Sequence, residues 1–197
     1  MSRRTLIRLC AGVAAALAAG LPAQAASEYA VKAAYLYKFA AFVEWPAKSF
    51  PAANSPLNLC VVGFDPFGGA LDRAIAGQHI GEHPIVARRL ERAHPDAGCH
   101  IAYVAGSRAE SVAEGLAVLK GSPTLTVTDQ SMGSPRGAIH FVVKDQRVRF
   151  HINDEAAEQN RLSISSKLLR LAVTVSVGEP FSTASPSATD SALEPAT

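Results

Sequence analysis

The chain has 197 residues, 19 Lys+Arg against 17 Asp+Glu, and 48% hydrophobic residues. Arg3, Arg4 and Arg8 belong to an export signal; setting them aside leaves 16 basic against 17 acidic residues, a net charge of −1. That balance excludes the basic footprint of a nucleic-acid-binding protein, and the length fits a single domain.

Residues 1–25 read as a cleavable signal peptide. A basic start is followed by an uncharged, Ala-rich stretch from Leu9 to Leu21, a break at Pro22, and Ala23-Gln24-Ala25 as the cleavage site. The stretch is too short and too Ala-rich to span a bilayer, which takes about 20 strongly apolar residues. Arg3-Arg4 also fits a twin-arginine signal, but a small domain without a cofactor has little need to fold before export, so the ordinary secretory route is favoured. Cys10 precedes the apolar stretch instead of ending it, which argues against a lipid anchor. The mature chain keeps Cys60 and Cys99. In an exported protein an even count reads as a disulfide; two buried free thiols are the alternative.

In chain order, Glu28 to Trp45 is expected to be one helix. Tyr29, Ala33, Leu36, Tyr37, Ala40 and Val43 recur at three-and-four spacing, Lys32 and Lys38 fall off that stripe, and Pro46 ends the run. Leu57 to Val62 is an apolar strand buried on both faces. Gly63 to Pro66 is a turn, Phe67 to Ile75 a helix, Pro84 to Leu90 a second strand and Cys99 to Val104 a third. Ser107 is expected to cap a helix running through Glu110 to Leu119, with Glu110 closing a capping box. Thr124 to Thr128 is the fourth strand. Ala138 to Val143 and Arg147 to Asn153 alternate around Asp145-Gln146 as an antiparallel hairpin. Asp154 to Ala172 is expected to be the closing helix. The fold class that follows is α/β: a single domain over 26–178, a mostly parallel sheet flanked by helices, a late antiparallel hairpin and a C-terminal helix. Residues 179–197, rich in Ser, Thr, Ala and Pro, are expected to be a disordered tail.

No catalytic constellation assembles from these elements. His79-Ile80-Gly81-Glu82-His83 matches a zinc-protease pattern. Gly77, Gly81 and Pro84 deny it the helix that would place both histidines on one face, so it reads as a polar loop. Gly63 to Gly69 has phosphate-loop placement, yet Gly69 stands where a Lys is required. Ser163, Ser165, Ser166 and Lys167 lack the Ser-x-x-Lys spacing, because Ile164 occupies the position that would need Ser. His94, His100, His140 and His151 read as surface or edge residues. No metal and no cofactor is implied, and the chain is expected not to be an enzyme. The strand-end loop Phe64-Asp65-Pro66-Phe67 remains a candidate small-ligand cleft by topology.

Taken together, several stretches resemble the YfiR-like (YfiR/HmsC) family of periplasmic proteins. They are Glu28 to Phe39 with Phe42-Val43-Glu44-Trp45-Pro46, LNLCVVGFDPFG at 57–68, CHIAYVA at 99–105, LTVTD at 125–129, RVRFHIN at 147–153 and RLSISSKLLRLA at 161–172. The resemblance implies a periplasmic, non-catalytic repressor that binds the sensor domain of a YfiN-like membrane diguanylate cyclase and lowers cyclic di-GMP and biofilm formation. It also implies that the family's cysteine pair falls on Cys60 and Cys99; a second pair that some members carry near the late hairpin has no counterpart here. The alternative is a periplasmic small-ligand sensor with another membrane partner, and a second copy of the chain is a further candidate partner. Tyr29, Tyr35, Tyr37, Phe39, Phe42 and Trp45 crowd the first helix. Six aromatics do not fit one core stripe, so either some are exposed for protein contact or the helix is sandwiched. Trp45 and Phe42 lead as contact residues, followed by Tyr35 and Phe39.

Overall fold

The computed structural model describes residues 27–176. The expected signal peptide, the expected cleavage site and the expected disordered tail lie outside the described residues. Helix α1 (Glu28–Phe39) starts where the Ser27 hydroxyl accepts from the Ala30 N–H at 3.3 Å. It ends before the expected Trp45. A 3-10 turn at Ala40–Phe42 tightens the chain, and β1 (Val43–Glu44) runs extended. Tertiary pairing wins over helical periodicity here, because β1 pairs antiparallel with β9 (Ser163–Ile164) and the Ser165 N–H donates to the Phe42 carbonyl.

The main sheet collects β2 (Leu57–Gly63), β3 (His79–Ile80), β4 (His83–Leu90), β5 (Ile101–Gly106), β6 (Leu125–Asp129), β7 (Ile139–Lys144), β8 (Arg147–Asn153) and β10 (Val175–Ser176). Their spatial order is β10-β8-β7-β6-β5-β2-β4-β3. Five neighbours, β7-β6-β5-β2-β4, are parallel, and β8 returns antiparallel to β7. This is the expected mostly parallel sheet with a late hairpin. Asp145 and Gln146 take φ of +50° and +58°, as a two-residue hairpin turn with the right twist requires. His79 and Ile80 are not loop: they form a short antiparallel pair with β4 around Gly81.

Helices α1 and α2 (Gly69–Ile75) cover one face, where Leu57, Leu59, Val61, Ile101, Tyr103, Val127, Phe141 and Phe150 join Leu36 and Leu71 in the larger core. Helix α3 (Val112–Leu119) covers the other face over Cys60, Val62, Ala102 and Val104. The α3 cap is Ser111, not Ser107. Ser-x-x-Glu occurs twice in succession, and the second copy makes the box: Ser111 Oγ accepts from the Glu114 N–H while Glu114 accepts from the Ser111 N–H. The first copy is diverted, because the Glu110 carboxylate accepts from the Ala93 N–H at 2.7 Å.

The expected closing helix is broken into α4 (Asp154–Gln159), capped by Asn153, then β9 and α5 (Ser166–Leu169). The break follows Asn160 at Arg161, whose φ is +60°, a value no helix interior accepts. The chain then reaches Ile164, which must return to pair with Val43.

The order of strands reverses between β2 and β5, so the crevice beyond their carboxyl ends is where ligands sit in open α/β sheets. Main chain fills it instead. The Phe64 N–H donates to the Gly106 carbonyl at 2.8 Å, and a Cβ on Gly63 would overlap that same carbonyl. Asp65 Oδ1 accepts from the Phe67 N–H and Oδ2 from Arg89, and Phe67 is buried. Phe64 is left 64% exposed at the tip. The expected ligand cleft at Phe64–Phe67 is therefore corrected to a closed, self-satisfied turn.

The α1 surface and the network beneath it

The six aromatics of the α1 region divide by depth. Phe39 is 1% exposed and packs edge-on against Phe150 at 5.2 Å, which removes it from the expected contact surface. Tyr29, Tyr35, Tyr37, Phe42 and Trp45 are half-buried. Tyr35 touches Phe39, Phe141 and Phe150 and borders a groove of about 410 Å³ between α1 and the hairpin, with Val31, Val143 and Val148 on its walls. Trp45 donates its indole N–H to the His100 carbonyl at 3.2 Å and meets Phe50 and His100 edge-on. The helix is neither bare nor fully sandwiched: each of these five rings anchors one side in the core and leaves the other in reach.

Lys32 is fully buried, not off the stripe. It stands three residues after Tyr29 and four before Leu36, which is core spacing. Its ammonium is paired with both Asp129, also fully buried, and the half-exposed Glu28. Burial by itself would push the Lys32 pKa down; the hydrogen bonds and charges of Asp129 and Glu28 outweigh it and hold it above the usual lysine value. Burial would likewise raise the Asp129 carboxyl, but Lys32 and the Ser131 N–H keep it below its usual range. The pair is thus ionised inside the protein. Tyr103 donates to Asp129 at 3.4 Å, and burial together with the Asp129 charge pushes its phenol up. Tyr29 closes the cluster, its ring 4.8 Å from the Lys32 ammonium and its hydroxyl 3.3 Å from Ser131. The cluster fixes the first turns of α1 to the end of β6.

Two of the four lone histidines are buried, contrary to the surface expectation. His140 bonds Thr128 Oγ1 at 2.9 Å, and burial with the nearby Arg136 charge pushes its pKa down to about 4. His100 is held on both ring nitrogens, by the Asn58 N–H and the Ser49 carbonyl. His94 is exposed and His151 half-buried. In the zinc-like pattern, His79 is exposed on β3 while His83 stacks on Phe50. Among the described residues no group of three His, Cys, Asp or Glu is placed to hold a metal ion. Ser165 caps α5 by accepting from the Lys167 N–H, which accounts for that serine and lysine as local structure.

Cys60 on β2 is bonded to Cys99, two residues before β5, with Cα atoms 5.8 Å apart. An open cleft of about 600 Å³ lies between α3 and α4 on the second face, with Leu116, Lys120, Thr126, Arg136, Glu155 and Gln159 on its walls. No helix among the described residues is long and apolar enough to cross a membrane. No curated protein matches the chain. Residues 29–173, which take in α1 from its second residue, the five parallel strands β7-β6-β5-β2-β4, the disulfide and the hairpin, match the family described as YfiR/HmsC-like, and the chain belongs to that family.

Proposed function

We propose that the protein is a periplasmic repressor that binds the sensor domain of a membrane diguanylate cyclase and holds it inactive. Membership of the YfiR/HmsC-like family over 29–173 carries this reading, since that family is periplasmic, regulatory and non-catalytic. The half-buried rings of Tyr35, Phe42 and Trp45 support contact through the α1 region, with Trp45 and Phe42 first. A repressor shifts its target only if it binds the inactive conformation better than the active one; about 100-fold preference holds a balanced switch mostly off. Deleting the gene is expected to raise cellular cyclic di-GMP and surface attachment, and the exported domain to restore both. A form lacking 1–25 should fail to complement. Exported Trp45→Ala and Phe42→Ala variants, folded by circular dichroism, should repress about tenfold less well, as truncated hot-spot aromatics do. Unchanged cyclic di-GMP on deletion, in a strain carrying a candidate cyclase, sinks this reading.

The cleft between α3 and α4 favours a second reading, a small-ligand sensor, with the site moved there from the closed Phe64–Phe67 turn. Its volume is within the range of small-molecule sites. Native mass spectrometry of periplasmic protein should then show a bound small molecule that is lost in Ala117→Trp, a substitution at an exposed wall position. Identical masses for the native protein and its denatured chain would exclude it.

A further inference from the structure

The segment 46–56 joins β1 to β2 and crosses the amino ends of the parallel strands. It is held there by one wedge. The Phe50 ring lies between His83, at the start of β4, and His100, just before β5, with ring centres 3.9 Å and 4.3 Å away and planes tilted by 22° and 17°. Trp45 closes the stack edge-on. The histidines also hold the strap's main chain: His83 Nδ1 lies 2.7 Å from the Ser55 carbonyl, and His100 Nε2 lies 3.0 Å from the Ser49 carbonyl.

The hydrogen bonds decide the protonation state of His100. The Asn58 N–H has its proton fixed and donates to Nδ1 at 3.0 Å, so Nδ1 is bare. Nε2 faces the Ser49 carbonyl and carries the single ring proton. A second proton has only Nδ1 to go to. There it meets the Asn58 N–H, breaks that bond and places a charge in a buried site. Around this ring Trp45, Phe50 and Ser49 from the strap side and Asn58 from β2 carry no charge, Lys48 on the strap is exposed, and His83 from β4 lies on the far face of Phe50. His83 repels a cation on His100 and the Ser49 carbonyl favours one, but burial outweighs the Ser49 bond.

We propose that the 46–56 strap is an acid-released latch, closed while His100 is neutral and opened when its Nδ1 takes a proton, and that opening resets Trp45 on the surface assigned to the cyclase. The effect on the cyclase surface rests on the repressor reading; the latch itself does not. Burial, with a smaller contribution from His83, depresses the His100 pKa below 6.5, while the Ser49 bond works against that depression. The closed form therefore binds fewer protons than the open one. Its advantage is complete above about pH 6.5 and falls as pH drops toward the depressed value, so opening grows by up to about tenfold per pH unit.

Trp45 is the chain's single tryptophan, so its emission reports on the latch without labels or partner. Purified full-length mature protein should show a reversible change in Trp45 emission as pH falls below 6.5, while far-ultraviolet circular dichroism stays constant. In His100→Gln, whose amide can accept from Asn58 and donate to Ser49, that transition should vanish. Should that variant fail to fold, hydrogen exchange on the unaltered protein reports the same opening. The protection of the Asn58 amide, corrected for intrinsic rate, should fall over this window while amides of β6 keep theirs. A transition that persists in His100→Gln, or Asn58 protection that does not move, overturns the latch. Repression assays at two pH values test the effect on the cyclase separately: an optical transition without a pH effect on repression removes that effect alone, and loss of repression at every pH removes the repressor reading and leaves the latch standing.

Discussion

Lys32→Ala is expected to destabilise the domain by about 3–5 kcal/mol in urea denaturation at pH 7, the usual cost of stranding one member of a buried ion pair. Asp129 would keep its charge at 0% exposure, with the Ser131 N–H and the Tyr103 hydroxyl as its remaining donors. Glu28→Gln serves as the control. Its carboxylate is 45% exposed, so solvent compensates for it, and the loss should stay within about 1 kcal/mol. The double change Lys32→Met with Asp129→Leu should recover most of the stability, because a fully desolvated pair and a well-packed apolar replacement come out close in energy. The pH dependence has a defined sign. The Asp129 pKa is lowered on folding, so its contribution is complete above its unfolded value of 3.8 and disappears as pH falls through the depressed folded value. The Lys32 pKa is raised, so its contribution is lost only as pH rises past 10.5. A Lys32→Ala protein within about 1 kcal/mol of the parent across the neutral range would mean that Asp129 is solvated or protonated. The cluster would then not be what fixes α1 to β6.

How far the fold can be read in advance depends on whether each signal is local. The apolar runs of β2, β5 and β6 are legible because a strand buried on both faces needs no partner to announce it. So is the hairpin: alternation reverses around two residues whose type tolerates positive φ. The closing segment is not, because Leu162, Ile164, Leu168 and Leu169 mimic a helical stripe while serving two short helices and a strand. Asn160 and Arg161, the actual stop, are weak breakers by residue type. In the α3 cap, two identical Ser-x-x-Glu boxes compete, and only the distant Ala93 N–H decides between them.

The site shows the same division. Cys60 and Cys99 are legible as a pair from count and compartment. The Lys32–Asp129 pair is written in the spacing, since Lys32 falls between Tyr29 and Leu36 on the buried face, but a lysine on a stripe is ordinarily solvated and its counter-ion lies 97 positions away at the end of an apolar strand. His100 and His140 carry no sequence sign of burial; their partners are Ser49, Asn58 and Thr128, unremarkable residues until the sheet assembles them.

Opening the Cys60–Cys99 bridge should lower stability by about as much as breaking the buried ion pair, by a different route. The bond spans a sequence separation of 39, and closing a loop of that size removes about 4 kcal/mol of chain entropy from the unfolded state in the entropic model. For a domain of this size that corresponds to a melting temperature lower by on the order of 10 °C. Cys60→Ala with Cys99→Ala isolates that effect. Cys60→Ser should cost more, because Cys60 is 0% exposed and a hydroxyl there has to find a hydrogen-bond partner or lose a further 1–3 kcal/mol, roughly. Native intact-mass analysis should find no free thiol in the parent; two free thiols would remove the premise. The bridge also acts locally. It ties β2 to the residue next to His100, whose ring and carbonyl hold the Asn58 N–H, the strap and the Trp45 indole. Removing the bridge should therefore shift Trp45 emission at neutral pH before any global unfolding. An Ala–Ala variant that melts lower yet keeps the parent's emission would confine the disulfide to the unfolded-state entropy, leaving the strap to be held by the ring stack and the two histidine hydrogen bonds.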